Sequence, residues 1–200
     1  MQAETAYLFR HALLREAAYQ LQVPSIRAKL HELVLELLPA LLSPPELAEA
    51  ERELADHALL AAAGAAPQRA NQLGQIELRY LTSAAQNARL RYQNSDARVL
   101  WGRVHAHRMA SASQRVSAAL ALAEVCSRSG HFSDAVAAVQ SGHRDAAELP
   151  DETERCVAEA RLALAVGDAL AYTPESDRCV ENLQRAADLF AKWGDARGRA

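Results

Sequence analysis

Tyr92-Gln93-Asn94-Ser95-Asp96-Ala97 and Gly130-His131-Phe132-Ser133-Asp134-Ala135 are the two stretches whose reading decides the fold. Both end in Ser-Asp-Ala, and both stand just before an alanine-rich amphipathic segment. A third Ser-Asp pair, Ser176-Asp177, precedes another such segment, so the intervals are 38 and 43 residues. Self-similarity at a period of about 20 to 50 residues marks stacked repeats, because a unit of two helices cannot bury its apolar face alone. The expectation is an all-α chain, a helical-hairpin solenoid, whose function resides in its surfaces more than in covalent chemistry.

Working outward from these turns, apolar residues recur at spacings of three and four, and no stretch alternates as a strand does. Nine helices are predicted. They span residues 4–22, 25–42 with Ser25 as N-cap, a third after Pro44-Pro45 that closes at Gly64, 68–92, 95–110, 112–129, 133–147, 151–166 and 175–193. Pro24 stops the first, and Pro39 is placed to kink or end the second. Ser95 is expected to cap the fifth helix. The stretch from Gly167 to Pro174 reads as a long turn, which would explain the interval of 43. Stripes such as Leu73, Ile76, Tyr80, Ala84, Ala88 and Val116, Ala119, Leu120, Ala123, Cys126 face inward, with a further stripe of Cys179, Leu183, Ala186 and Phe190.

Half of the 200 residues are hydrophobic and 24% are charged, the balance of a folded globular chain. A net charge of −3 gives no overall drive toward nucleic acid or anionic lipid. The longest apolar run, Leu33 to Leu42, is interrupted by Glu36 and Pro39 and falls short of the roughly 20 residues that span a bilayer. With no charged-then-apolar leader, a cytoplasmic location is expected. Cys126, Cys156 and Cys179 fit neither a disulfide framework nor a zinc knuckle and are read as small core residues.

Small residues flank each turn, Ala88 with Ala97 and Ala123 with Ala135, where two helices must approach closely. Together with Gly130, Phe132 and Ala135, this order resembles the tetratricopeptide repeat. The units exceed its usual length of about 34 residues, and its terminal proline is matched clearly only by Pro150, which makes the resemblance that of a divergent member. Three hairpins are expected, at about 68–110, 112–148 and 151–193, within a repeat region of 67–200. The array ends without a polar capping helix, which points to truncation at the C-terminus.

Residues 1–66 lie outside the repeat. Their run from Leu8-Phe9-Arg10-His11 through Arg15-Glu16-Ala17-Ala18-Tyr19, followed by Leu30-His31 and Glu53-Leu54-Ala55-Asp56-His57, resembles the connector that follows the nucleotide-binding core of bacterial STAND-type signal-transduction ATPases. In that family a winged-helix or helical connector leads into tetratricopeptide-like repeats that sense or bind a partner, joined to adenylate cyclase, kinase or transcription modules. The resemblance implies a three-helix connector and a protein-interaction or regulatory role, with a protein or peptide partner or an ATPase core in cis or in trans. It does not carry nucleotide hydrolysis across. A phosphate-binding loop needs a glycine-rich turn ending in Lys-Ser or Lys-Thr, whereas the only lysines, Lys29 and Lys192, precede Leu30 and Trp193.

No cofactor, catalytic or metal residues are assigned. His105 and His107 point about 200° apart on a helix and cannot share an ion, while His11, His31 and His57 are expected to pack or hydrogen-bond among the first three helices. No serine or cysteine is set against a histidine and an acid at a recognisable spacing, so an enzyme is not expected. Residues 67–109 hold seven arginines against two acids, with Tyr80, Tyr92 and Trp101 interleaved. Single-stranded nucleic acid is therefore the alternative ligand, unless these arginines pair with the acidic stretch Glu46 to Asp56. The site expected for a protein partner lies along the first helices of successive hairpins, at Arg79, Gln86 and Arg89 on one and Ser117, Glu124 and Ser127 on the next.

Overall fold

A computed structural model describes residues 12–171, 173 and 177–193. Among these residues there are nine α-helices and no strand: α1 (Ala12–Gln20), α2 (Pro24–Leu41), α3 (Pro44–Ala62), α4 (Pro67–Leu90), α5 (Asn94–His105), α6 (Ala112–Arg128), α7 (Phe132–Ala146), α8 (Glu152–Leu170) and α9 (Asp177–Trp193). From α2 onward each helix packs against the next in the chain, and α6 also packs against α8. Residues 1–11, which include His11 and the first eight residues of the first expected helix, lie outside the described residues.

The turns before α5 and α7 are built alike. Tyr92 and Gly130, 38 residues apart, both take positive φ, 57° and 74°. In each turn the next amide reaches back over the end of the preceding helix, Gln93 N–H to Ala88 O at 2.9 Å and His131 N–H to Cys126 O at 2.8 Å. This is the left-handed closure that satisfies the last carbonyls of a helix, and glycine adopts it without the Cβ penalty that Tyr92 bears.

Because the closure reorients the chain so early, the helices begin before the serines. The N-cap positions are Gln93 and His131, neither with a side-chain cap. Ser95 is thus not the cap that the sequence reading expected but a first-turn residue, as is Ser133. Their neighbours Asp96 and Asp134 sit beside the positive helix ends and take arginines from elsewhere, Arg52 at 3.1 Å and Arg98 at 3.0 Å. Of the third Ser-Asp pair, Asp177 opens α9 and Ser176 lies outside the described residues.

Other boundaries differ from expectation, and α5 ends at His105, short of the expected 110. Ser25 does not cap α2, since Pro24 takes the first helical position and Val23 the cap. Pro39 lies inside α2 and does not end it early, the helix running on to Leu41, next to its expected end at 42. Gly167 belongs to α8 rather than to a turn. A Cβ there would come within 2.7 Å of Leu183 Cδ2 on α9, so the glycine serves close helix approach.

The core is a series of seams lined by small residues. Leu54, Leu78, Leu81, Ala84, Ala88, Ala97, Leu100 and Val104 fill the first, across α3, α4 and α5. Val116, Ala123, Cys126, Ala135, Val139 and Leu162 fill the second, across α6, α7 and α8. Ala160, Ala163, Ala186 and Phe190 close α8 on α9. Cys126 is buried as expected, and burial pushes its thiol pKa up, whereas Cys156 and Cys179 are only half-buried.

Two buried carboxylates brace the seams. Glu77 of α4 meets His107 at 3.2 Å and Arg103 at 3.6 Å, and Arg103 also reaches Asp56 of α3 at 2.8 Å. Asp145 of α7 receives Arg115 Nε at 2.6 Å and His105 Nε2 at 2.8 Å. The hydrogen bond that Arg115 donates to Asp145 in turn raises the pKa of Arg115. His105 and His107 therefore serve different carboxylates.

Two substitutions test this packing by chemical denaturation. At Gly142 an added Cβ would lie 2.6 Å from Leu162 Cδ2 and 3.0 Å from Ala119 Cβ, so Gly142→Val is expected to cost about 1–3 kcal/mol of unfolding free energy. Asp145→Ala removes the buried acceptor shared by Arg115 and His105 and is expected to cost about 1–3 kcal/mol. A loss below about 0.5 kcal/mol in either variant contradicts the seam or the brace on which it rests.

Candidate functional site

The groove between α4 and α6 follows from helical spacing. Gln75, Arg79, Thr82, Ser83 and Gln86 project from successive turns of α4, and Gln114 enters from the start of α6. They line an open cleft of about 450 Å³. Much of its polarity is already committed. Ser83 Oγ donates to Glu51 Oε1 at 2.6 Å and Asn87 Nδ2 to Glu51 Oε2 at 2.8 Å, both on α3. Thr82 donates to Leu78 O, and Gln114 Oε1 accepts the Ser111 amide that it helps to cap.

Arg79 is different. Its guanidinium lies 4.9 Å from the centroid of the Tyr80 ring and has no ion pair among the described residues. Its neighbours in the basic stretch are paired: Arg69 with Glu32, Arg89 with Glu124, Arg91 with Glu49, Arg98 with Asp134 and Arg103 with Asp56. Arg108 donates to Asn71 Oδ1 and Ala70 O. The positive charge read from residues 67–109 is thus largely answered within the molecule, by α3 and also by α2, α6 and α7.

The six residues expected to form one site divide into groups. Arg79 and Gln86 share the cleft. Arg89 joins Glu124 at 2.7 Å and also donates to Gln86 Oε1, while Glu124 takes Arg128 on its other oxygen at 3.1 Å. This pairing ties α4 to α6 and turns the Arg89 charge away from an incoming ligand. Ser117 is exposed on α6, outside the cleft lining. Ser127, in the last turn of α6, lines a separate cleft with Arg128, Gly130, Phe132, Asp168 and Ala171, because that turn faces the end of α8. Gln75 belongs to the groove and was missed by the sequence reading, although it stands one turn before Arg79.

A second polar constellation joins the first three helices. Tyr19 Oη lies 2.8 Å from His31 Nε2, and His31 Nδ1 lies 2.6 Å from His57 Nδ1. Arg27 stacks over the Tyr19 ring at 5.1 Å, and Glu53 Oε1 is 3.8 Å from His57 Nε2. Adjacent imidazoles joined through one hydrogen bond must share a single proton there, so this geometry needs a neutral ring. Burial, then His57 and Arg27, lower the pKa of His31 from its usual 6.5.

Among the described residues no group of three or more His, Cys, Asp or Glu side chains is placed to hold a metal ion, and no helix is long and apolar enough to cross a membrane. Neither a protein-family model nor a curated protein nor a solved structure matches the chain.

The depressed His31 pKa fixes the sign of a pH effect. Between the folded pKa and 6.5 the unfolded chain binds more protons, so the stabilisation by neutral His31 is complete above about pH 6.5 and is lost as pH falls through the folded value. Imidazole proton shifts followed by NMR should give His31 a midpoint below 6.5. Unfolding midpoints should fall from pH 7 toward pH 5.5, less steeply in His31→Asn. A His31 midpoint at or above 6.5 contradicts the hydrogen-bonded run through Tyr19, His31 and His57.

Proposed function

We propose that this chain is a protein-interaction scaffold, the sensor or regulatory region of a bacterial STAND-type signal-transduction ATPase, and that it binds rather than catalyses. The α4–α6 groove takes a peptide segment of its partner, with Arg79 receiving a carboxylate and the Gln75 and Gln86 amides bonding to peptide groups. Residues 1–66 act as a connector and 67–200 as divergent tetratricopeptide-like hairpins, working in the cytoplasm.

The observation that carries the reading is the Arg79 guanidinium, without an ion pair among the described residues, in a cleft where Thr82, Ser83 and Asn87 are already bonded internally. A cation held beside an aromatic face and open to one side is suited to a charged hydrogen-bonding ligand. Support for stacked hairpins comes from the equivalent left-handed closures at Tyr92 and Gly130 and from the contact of α6 with α8.

Selection of a random-peptide display library against the immobilised chain tests the groove. Peptides carrying Asp or Glu are expected to enrich, and Arg79→Glu should weaken the winners by about tenfold or more, since it replaces attraction by repulsion. Arg79 is exposed, so the circular dichroism of the variant should be unchanged. Equal binding by wild type and Arg79→Glu would remove the groove assignment. Retention on heparin at about 50 mM salt, lost steeply as salt rises, would favour nucleic acid instead.

A further inference from the structure

The outer face of α2 is apolar along its whole length. Val23 at the N-cap and Ile26, Leu30, Leu33, Leu37 and Leu41 in the helix are each between 45% and 78% exposed. The opposite side of the helix is occupied: Ala28 is buried, Leu35 and Leu38 pack on the cluster containing Leu54 and Ala55, and Glu32 pairs with Arg69 of α4. Six neighbouring large aliphatic residues make a contiguous stripe of the kind that marks an interaction site, unlike apolar residues scattered singly.

Spacing identifies the occupant. Val23, Leu30 and Leu37 recur every seven residues, and Ile26, Leu33 and Ala40 recur three residues after each of them. That is the two-row seam of a coiled coil. We propose that a second copy of this chain covers the stripe, with the two α2 helices antiparallel about a twofold axis.

In the antiparallel register that pairs the two rows, Leu30 of one copy packs on Leu33 of the other, Ile26 on Leu37 and Val23 on Ala40. Each layer occurs twice, as an isologous contact requires. The same register brings Lys29 of each copy beside Glu36 of the other along one flank. Both side chains are exposed, and neither has an ion pair among the described residues. A parallel pairing would set Lys29 against Val34 and Glu36 against Leu41, leaving both charges against apolar neighbours, so the charges select the antiparallel arrangement.

Area is sufficient. The six side chains offer on the order of 500 Å² per copy, and the stems of Lys29 and Glu36 with the nearby Leu21 bring the two copies together to about 1,200–1,400 Å², within the range of specific interfaces. Lys29 and Glu36 lie at the edge, where charge fixes register more than it adds affinity.

Sedimentation equilibrium of the whole 200-residue chain decides the matter. The expected mass is twice 21.7 kDa at about 100 µM, a concentration at which an interface of this size should be populated. Leu30→Glu with Leu37→Glu should return it to 21.7 kDa with unchanged circular dichroism, because both positions are exposed. Glu36→Lys sets like charges together twice and should weaken the dimer about tenfold. Adding Lys29→Glu to it exchanges both signs and should restore the wild-type dimer constant within about twofold.

A monomer at about 100 µM overturns the proposal and gives the stripe to another occupant, residues 1–11 or a different protein. A dimer untouched by the two leucine substitutions, or a charge exchange that fails to restore it, overturns the α2 seam or its antiparallel register.

Discussion

Close approach of helices at small side chains is the constraint on which the rest of this structure depends. Ala88 beside Ala97, Ala123 beside Ala135, Gly142 against Ala119 and Leu162, and Gly167 against Leu183 let neighbouring helices meet with little side-chain bulk between them. An alanine seam buries little area per residue, so stability must come from many such contacts in series. It also leaves no room for error, since one added methyl group at Gly142 meets two helices at once. The chain answers by making each helix lean on the next, and the polar braces at Glu77 and Asp145 hold the seams where loops enter.

Charge is spent inside the molecule. The arginines of α4 and α5 find carboxylates on α2, α3, α6 and α7, so the basic stretch is a cross-helix lattice more than a field projected outward. Such exposed pairs each add little stability, but together they fix which helix faces which. Against this background a cation without a carboxylate is informative. Arg79, seated on Tyr80 at the edge of the α4–α6 groove, is the feature that the proposed peptide recognition uses.

The N-terminal helices follow a different logic. Their inner contacts are a hydrogen-bonded run through Tyr19, His31 and His57, and their outer contacts are the leucines of α2. One side is polar and titratable, and the other is apolar and open. Helices α2 and α3 are thereby joined to the rest of the chain on one side while a full helical face remains available on the other.

Helix number and inner stripes were legible in the sequence, because burial on one side of a helix imposes a period of 3.6 residues on the apolar positions. The turn at Gly130 was legible for the same kind of reason, as glycine marks left-handed backbone. The matching turn at Tyr92 could not be read from residue type, since tyrosine ordinarily avoids that conformation and holds it here only because the closure over Ala88 demands it. Gly167 misled because a glycine for close packing and a glycine for a turn look alike in one dimension. Which arginine meets which acid, that Ser127 leaves the groove, that His31 meets His57, and that Arg79 has no carboxylate partner among the described residues were decided by tertiary structure. Periodicity depends on residues three and four apart, whereas a partner 26 to 44 residues away is set by the crossing of helices, which local sequence does not encode.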